Sequence, residues 1–190
     1  MIKRLRIVHR KKKFGVLTAD GKEFLPFVYD KIFPDDVWNF FELHKDGMVG
    51  FCAYDGTELL PLSFEAKDVS VNREARMFEV KRGYKTAFYN FNGKLILDAK
   101  HPSDAIKAYS DGFVIRFANV CRFVNLKGDT IISGYDEIYE VSDYNQNVLK
   151  VKKGCKYGVF DLAANEIMPV RYDDVRIEHG VCKGMDTVCL

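Results

Sequence analysis

The 190-residue sequence predicts an all-β fold built from tandem copies of a three-stranded antiparallel meander. Three observations favour this fold. A glycine-containing strand pattern recurs about every 36 residues, which is a period typical of repeat proteins. Turn dipeptides separate the strands, and the 15 Phe and 10 Tyr suit strands better than helices. Stacked copies of such a meander form either a propeller-like closed ring or an open β-solenoid.

The first column of the repeat is the glycine position, which is occupied in successive copies by Gly15, Gly50, Ala87, Arg122 and Gly158. A second column follows in each copy, with Asp20-Gly21, Asp55-Gly56, Asn92-Gly93, Lys127-Gly128 and Ala163-Ala164, and the first three of these pairs are turn dipeptides that favour tight hairpins. Glycine accepts positive φ in such turns without a Cβ clash. Pro26, Pro61 and Pro169 occupy one equivalent position in the next strand, which predicts an edge or the end of ladder pairing there.

Two further columns lie upstream of the glycine position and support the alignment, because neither was used to set it. One is aliphatic, with Val8, Leu43, Val80, Ile115 and Val151. The other is basic, with His9, His44, Lys81, Arg116 and Lys152. This alternation is typical of a half-buried strand. Each unit therefore reads as three strands followed by a connection of roughly eight to ten residues.

The sequence predicts one repeat domain over residues 1–190. Its five copies lie at approximately 2–32, 39–69, 76–106, 112–138 and 147–175, followed by a tail at 176–190. Within the tail, Gly180-Val181-Cys182-Lys183 is a candidate extra strand. Pairing between this strand and the strand Ile2 to Arg10 would close a ring and remove an exposed edge.

The repeat resembles the WG-repeat (KWG-type) family of bacterial tandem repeats. The matching residues are Lys13-Phe14-Gly15-Val16 with Asp20-Gly21-Lys22-Glu23 and Pro26, and Lys156-Tyr157-Gly158-Val159-Phe160-Asp161 with Glu166-Ile167-Met168-Pro169 and Tyr172-Asp173-Asp174-Val175. The name-giving tryptophan of the motif is replaced in every copy. The resemblance covers roughly residues 5–178 and implies a bacterial, non-catalytic module.

Composition and charge indicate a soluble, cytoplasmic protein. No apolar run has the length of a signal-peptide core or a membrane helix. The net charge is only +2, yet the first 13 residues hold seven basic residues and no acid. Such asymmetry is typical either of a polyanion-binding arm or of a strand with a basic solvent face. The five cysteines form no CxxC pair, which predicts reduced thiols and no zinc site.

No motif of catalysis, phosphate binding or metal ligation is present, so we expect no catalytic residues, metal or cofactor. His9 and His44 belong to the basic column rather than to a ligand cluster, and His101 and His179 lie apart from them. A carboxylate recurs at the end of the third strand, as Asp30, Glu65, Asp136 and Asp173. We expect these carboxylates to accept backbone N–H groups where the chain turns.

Two surfaces are candidates for partner binding, and the sequence predicts a non-catalytic binding or scaffolding module. The first surface is the connections between copies, where exposed aromatic and acidic residues suit a protein partner. Its candidate residues are Trp38, Asp35, Asp36, Tyr139 and Tyr144. The alternative is a nucleic acid or another polyanion bound by the basic N-terminal strand and the basic column. Its candidates are Arg4, Arg6, His9, His44, Lys81, Arg116 and Lys152.

Overall fold

The computed structural model describes residues 5–99, 105–142, 147–178 and 181–186. The chain forms two compact units, Met1–Lys100 and His101–Leu190. Every described element is a β-strand except one 3-10 turn at Ala66–Asp68, so the predicted all-β fold is confirmed. Within the described ranges no helix has the length and apolar character needed to cross a membrane.

The first unit contains three antiparallel sheets, numbered in chain order. Sheet 1 consists of β1 (Arg6–Arg10), β2 (Lys13–Leu17) and β3 (Glu23–Tyr29). Sheet 2 consists of β4 (Lys31–Asp35), β5 (Phe40–Lys45), β6 (Met48–Ala53) and β7 (Glu58–Glu65). Sheet 3 consists of β8 (Val69–Asn72), β9 (Met77–Arg82), β10 (Lys85–Asn90) and β11 (Leu95–Ala99).

The second unit also contains three antiparallel sheets. Sheet 4 consists of β12 (Ile106–Ala108), β13 (Gly112–Phe117), β14 (Val120–Asn125) and β15 (Thr130–Tyr135). Sheet 5 consists of β16 (Glu137–Ser142), β17 (Asn147–Lys153), β18 (Lys156–Asp161) and β19 (Glu166–Tyr172). Sheet 6 consists of β20 (Asp174–Glu178) and β21 (Val181–Met185), so the predicted tail contains strands.

The prediction of three strands per copy missed one strand. Sheets 2 to 5 are four-stranded, and their first strand is formed by the segment expected to be a connection. These first strands are short and pair on one side only, with β4 bound to β5 and β16 bound to β17. Ile32 and Ile138 point from them into the core. Pro34 is tolerated in β4 because an edge strand does not need every backbone donor.

A bulge explains the repeated glycine and the repeated proline together. In sheet 2, the pairs Val49↔Phe64 and Phe51↔Leu60 show that β7 carries two extra residues opposite Gly50. A Cβ at position 50 would lie 2.8 Å from the Leu62 Cα, so only glycine fits under the bulge. The same register shift occurs beside Gly15 and Gly158. Pro26, Pro61 and Pro169 lie within these bulges, where no ladder donor is required.

Two of the recurring carboxylates accept backbone N–H groups where the chain turns, as the sequence predicts, and they also connect successive sheets. Asp30 Oδ2 accepts the Asp46 N–H at 2.7 Å, and Asp136 Oδ2 accepts the Gly154 N–H at 2.6 Å. Both amides belong to the β5–β6 or β17–β18 hairpin of the next sheet. Asp30 Oδ1 also lies 2.5 Å from Lys13 Nζ at the start of β2, and Lys156 and Asp173 form the equivalent pair. The Asp30 carboxylate therefore contacts both a lysine of its own sheet and the hairpin of the following sheet.

The core of each unit lies between adjacent sheets. Sheets 2 and 3 share a cluster with Phe40, Phe51 and Phe78, all at most 2% exposed. Sheets 1 and 2 share another, which includes Val16 and Cys52. In the second unit, sheets 4 and 5 meet through Cys121, Phe123, Ile138, Leu149 and Val151 among others. Sheets 5 and 6 meet through Val148, Val159 and Val175. Burial of such apolar side chains contributes roughly 1.5–3 kcal/mol each.

Candidate binding cleft

The conformation of the loop that carries Trp38 is fixed by Asp35, the acidic residue that precedes it. Asp35 ends β4, and its Oδ1 accepts the Trp38 N–H at 3.1 Å. Asp35 Oδ2 lies 3.0 Å from Arg73 Nε, on the equivalent loop of sheet 3, and the Asp35 side chain is only 11% exposed. Asn39 closes the turn at φ +57°, a conformation that Asn accepts more readily than most residues. These contacts fix the direction in which the loop presents its indole.

Glycines in the turns between the third and fourth strands bring neighbouring sheets together at this end of the unit. A Cβ at Gly93 would lie 2.7 Å from the Leu59 carbonyl oxygen, so the turn of sheet 3 packs directly on the start of β7. Gly56, in the turn of sheet 2, lies at ordinary contact distance from the ring of Phe24 at the start of β3, since a Cβ there would be 3.7 Å from that ring. Turn residues of sheets 1, 2 and 3 therefore meet around Trp38.

The meeting of these turns leaves a cleft of about 650 Å³, within the range of ligand sites in proteins. It is lined by Phe24, Trp38, Asn39, Ala53, Tyr54, Asp55, Thr57, Leu59, Phe91 and Asn92. Four of these residues are aromatic, and Asn39, Asp55, Thr57 and Asn92 are exposed polar residues around them. A mainly apolar wall with a few polar groups is the usual composition of a binding site.

The aromatic wall is anchored in the core of the unit. The Phe91 ring lies 5.3 Å from the Trp38 ring and 4.9 Å from that of buried Phe78. Tyr54 packs on buried Phe41 with ring centroids 4.5 Å apart. Aromatic pairs at such distances contribute about 0.5–1.5 kcal/mol beyond area burial. The rings are thus held in place before any ligand arrives, which lowers the entropic cost of binding.

The charge that lines the cleft is negative. Among the described residues that line it, Asp55 is the one that is charged. The Tyr54 hydroxyl donates a 2.6 Å hydrogen bond to Asp36, and burial, followed by this carboxylate, raises the pKa of Tyr54. The Thr57 N–H donates to Asp55 Oδ1 at 2.8 Å and lowers the pKa of Asp55, which keeps it ionised. A cation or a hydrogen-bond donor matches this wall better than an anion.

The predicted partner-binding residues belong to both units. Trp38 lines the cleft, Asp36 adjoins it through Tyr54, and Asp35 positions the loop from within. Tyr139 lies on β16 in the second unit, where its hydroxyl donates a hydrogen bond to Glu137, which raises the pKa of Tyr139 to about 12. Tyr144 lies outside the described residues.

The predicted polyanion residues are interspersed with carboxylates. His44 Nε2 lies 2.7 Å from Glu42, and Lys152 Nζ lies 3.3 Å from Glu137. His9 stacks against Phe14 at 4.7 Å between ring centroids. Arg6, Lys81 and Arg116 are exposed, and Arg4 lies outside the described residues. The basic column is thus partly neutralised by neighbouring side chains.

Sequence reasoning missed Phe24, Tyr54, Asp55 and Phe91 as members of the cleft. A signal for two of them existed in the repeat. Tyr54 and Phe91 occupy the column directly before the turn dipeptide, where the other copies have Ala19, Leu126 and Leu162. A turn does not require an aromatic residue at that position, so aromatic rings in two adjacent copies indicate a shared surface.

Within the described ranges, no group of three His, Cys, Asp or Glu side chains is placed to hold a metal ion. His101, His179 and Cys189 lie outside those ranges. Among the described cysteines, Cys52 and Cys121 are buried free thiols, Cys182 is half-buried, and Cys155 is exposed.

No protein-family model matches the chain, and a search of curated proteins found no significant relative. Solved structures with some similarity include KlHsv2 with loop 6CD replaced by a Gly-Ser linker, at 14% identity and a TM-score of 0.38 over 86% of this chain and 60% of that chain. A eukaryotic initiation factor matches at 11% identity and a TM-score of 0.45, over 97% of this chain and 58% of that one.

A third is PorZ, a surface component of the type-IX secretion system of Porphyromonas gingivalis, at 15% identity and a TM-score of 0.38, over 97% of this chain and 28% of that one. The chain thus spans less than two thirds of the length of each of these three proteins. Identities and TM-scores of this size carry no argument about what the chain binds.

Proposed function

We propose that the chain is a non-catalytic binding module and that its aromatic cleft holds an extended segment of a protein partner. The observation that carries this proposal is the convergence of Phe24, Trp38, Tyr54 and Phe91 from three successive sheets on one open cleft. Large aromatic side chains in a preformed pocket are the residues that most often dominate protein-binding energy.

The polar groups around the rings support a peptide as the ligand. Asn39 and Asn92 each offer an amide that can donate to and accept from a backbone. Leu59 and Ala53 supply apolar surface between them. An extended segment can place alternate side chains in such a cleft while its backbone meets the amides.

The test is a screen of random heptapeptides displayed on phage against the intact protein. We expect enriched peptides, once synthesised, to shift the emission of Trp38, which is the sole tryptophan of the chain, and to protect it from acrylamide quenching. Trp38→Ala should weaken their binding by about tenfold or more. Phe33→Ala is the matched control, because Phe33 is 50% exposed but does not line the cleft. Equal binding by both variants, or peptides that leave Trp38 unprotected, would contradict the proposal.

A second candidate function, polyanion binding, is favoured by the β1–β2 hairpin. Lys11 and Lys12 both adopt positive φ, at +47° and +66°, and both are exposed between Arg10 and Lys13. Positive φ at both residues is the usual geometry of a two-residue hairpin turn, as at Ala118-Asn119 in sheet 4, so the support for this function is the run of basic residues that the turn presents. This turn lies at the opposite end of its sheet from the β2–β3 turn that adjoins the cleft.

Binding of single-stranded DNA of about 20 nucleotides tests this second function. We expect the affinity to fall steeply between about 50 mM and 200 mM salt, and the double variant Lys11→Gln, Lys12→Gln to reduce the salt slope by about two. Trp38→Ala serves as the control and should leave the slope unchanged. A flat salt dependence in the wild-type protein would exclude this function.

A further inference from the structure

We propose that the cleft selects an arginine side chain of the bound segment. This inference rests on the proposed peptide-binding function and names the residue that the aromatic wall and Asp55 recognise. It follows from the charge of the wall, from a guanidinium already present on Trp38, and from the geometry that a guanidinium requires.

The charge of the wall is the first argument. Among the described residues, no lysine or arginine lines the cleft, whereas Asp55 does, and Asp36 accepts a hydrogen bond from the Tyr54 hydroxyl. A buried cation without a carboxylate partner is costly, and an aromatic ring alone compensates only part of that cost. The cleft supplies both partners for a cation, because its aromatic rings and the ionised Asp55 carboxylate line the same wall.

A guanidinium in contact with Trp38 is the second argument. Arg76, from the loop of sheet 3 that corresponds to the Trp38 loop, holds its Cζ 5.0 Å from the centre of the indole. This distance falls within the range of favourable cation–π contacts, for which tryptophan is the best partner. Trp38 lines the cleft and Arg76 does not, so part of the Trp38 indole remains open to a ligand.

Arginine fits this surrounding better than lysine does. Its planar guanidinium stacks on aromatic faces, is more weakly hydrated than an ammonium, and can pair with a carboxylate through two parallel N–H groups. A cleft that offers Trp38, Phe91 and Tyr54 beside Asp55 provides both kinds of contact. The Asn39 and Asn92 side chains can accept the remaining N–H groups.

The test compares short peptides that differ at one position, with Trp38 emission as the readout. The probes are acetyl-Ala-Pro-Xaa-Pro-Ala-amides in which Xaa is arginine, its neutral isostere citrulline, lysine or glutamate. We expect the arginine peptide to bind at least about tenfold more tightly than the other three. Equal binding of the citrulline or lysine peptide would overturn the arginine preference.

Two protein variants locate the recognition. Asp55→Asn should weaken the arginine peptide by about tenfold while leaving the citrulline peptide unchanged. Asp20→Asn is the matched control, because Asp20 occupies the same turn position in sheet 1 and does not line the cleft. Unchanged arginine binding in Asp55→Asn would overturn the role of the carboxylate.

The random heptapeptide screen separates this inference from the proposed function. Enriched peptides that contain no arginine, yet protect Trp38, would overturn the arginine preference and leave the peptide-binding function standing. A screen that enriches no peptide able to protect Trp38 would contradict both.

Discussion

At the scale of single residues, the recurring glycine packs against a different neighbour from the one that the sequence suggests. The glycine of the repeat, best preserved at Gly158, predicts a twist or close packing beside a neighbouring copy. The close neighbour of Gly50 is instead the bulged fourth strand of its own sheet, at Leu62. Ala87 shows the converse, because β11 pairs regularly with β10 across that position and leaves room for a methyl group.

We predict that Gly50→Ala destabilises the protein by about 1–3 kcal/mol, measured by urea denaturation. Strand propensity alone predicts the opposite sign, since alanine is favoured over glycine in a strand interior by roughly 0.5–1 kcal/mol. Ala87→Gly is the control and should cost this propensity difference plus about 0.8 kcal/mol for the loss of a buried methyl group. A Gly50→Ala protein as stable as the wild type would show that the bulge yields without strain.

At the scale of elements, the repeat in the sequence and the sheet in the structure are out of phase. The second to fourth strands of sheets 2 to 5 are predicted by the columns that recur in the sequence. The first strand was missed because it is short, pairs on one side and contains Pro34 in sheet 2. The cleft could be predicted only in part, since Trp38 stands out as a single tryptophan, whereas Phe24 joins it through contacts between sheets.

The Asp30 carboxylate should control the opening of the hairpin of the next sheet. In Asp30→Ala the Asp46 N–H loses its acceptor at 2.7 Å, so we expect faster hydrogen exchange at that amide. Lys13→Ala is the control, because it removes the ion pair and leaves the bond to the amide intact. Equal exchange rates at Asp46 in Asp30→Ala and the wild type would contradict this role.

The loop of Trp38 offers a second prediction at this scale. Asp35→Ala removes both the acceptor of the Trp38 N–H and the partner of Arg73. We expect the Trp38 emission to shift to longer wavelength and peptide binding to weaken several-fold, although Asp35 does not line the cleft. In Arg73→Ala the N–H acceptor remains, so a smaller shift is expected. An unchanged spectrum in Asp35→Ala would show that the loop is held by packing alone.

At the scale of the whole molecule, carboxylates with lowered pKa values occur in both units. Contacts with Lys13 and the Asp46 N–H lower the pKa of Asp30, and contacts with Asn165 lower that of Asp161. Lys150 lowers the pKa of Asp174. The Tyr139 hydroxyl, and to a smaller extent Lys152, lower the pKa of Glu137. In each case the folded chain binds protons less readily than the unfolded chain does.

Stability should therefore be lost on the acid side. The contribution of these groups is fully present above their ordinary pKa values and disappears as the pH falls through the lowered folded values. We expect the urea midpoint to be constant between about pH 5 and pH 8 and to fall steadily below about pH 4. Because Asp30 is exposed and Glu137, Asp161 and Asp174 are partly exposed, high salt should flatten this decline. A midpoint that does not change between about pH 5 and pH 2.5 would contradict it.

The phase difference between repeat and sheet bears on how such a chain can change length. Each 36-residue copy contributes three strands to one sheet and the first strand to the next, as β5 to β7 and then β8 do. A duplicated copy therefore supplies three strands to one sheet and the first strand to the following sheet, so that every inserted strand has a partner. Tandem duplication at the genetic level would then lengthen the chain by whole, fully paired sheets, and unequal recombination would shorten it in the same steps.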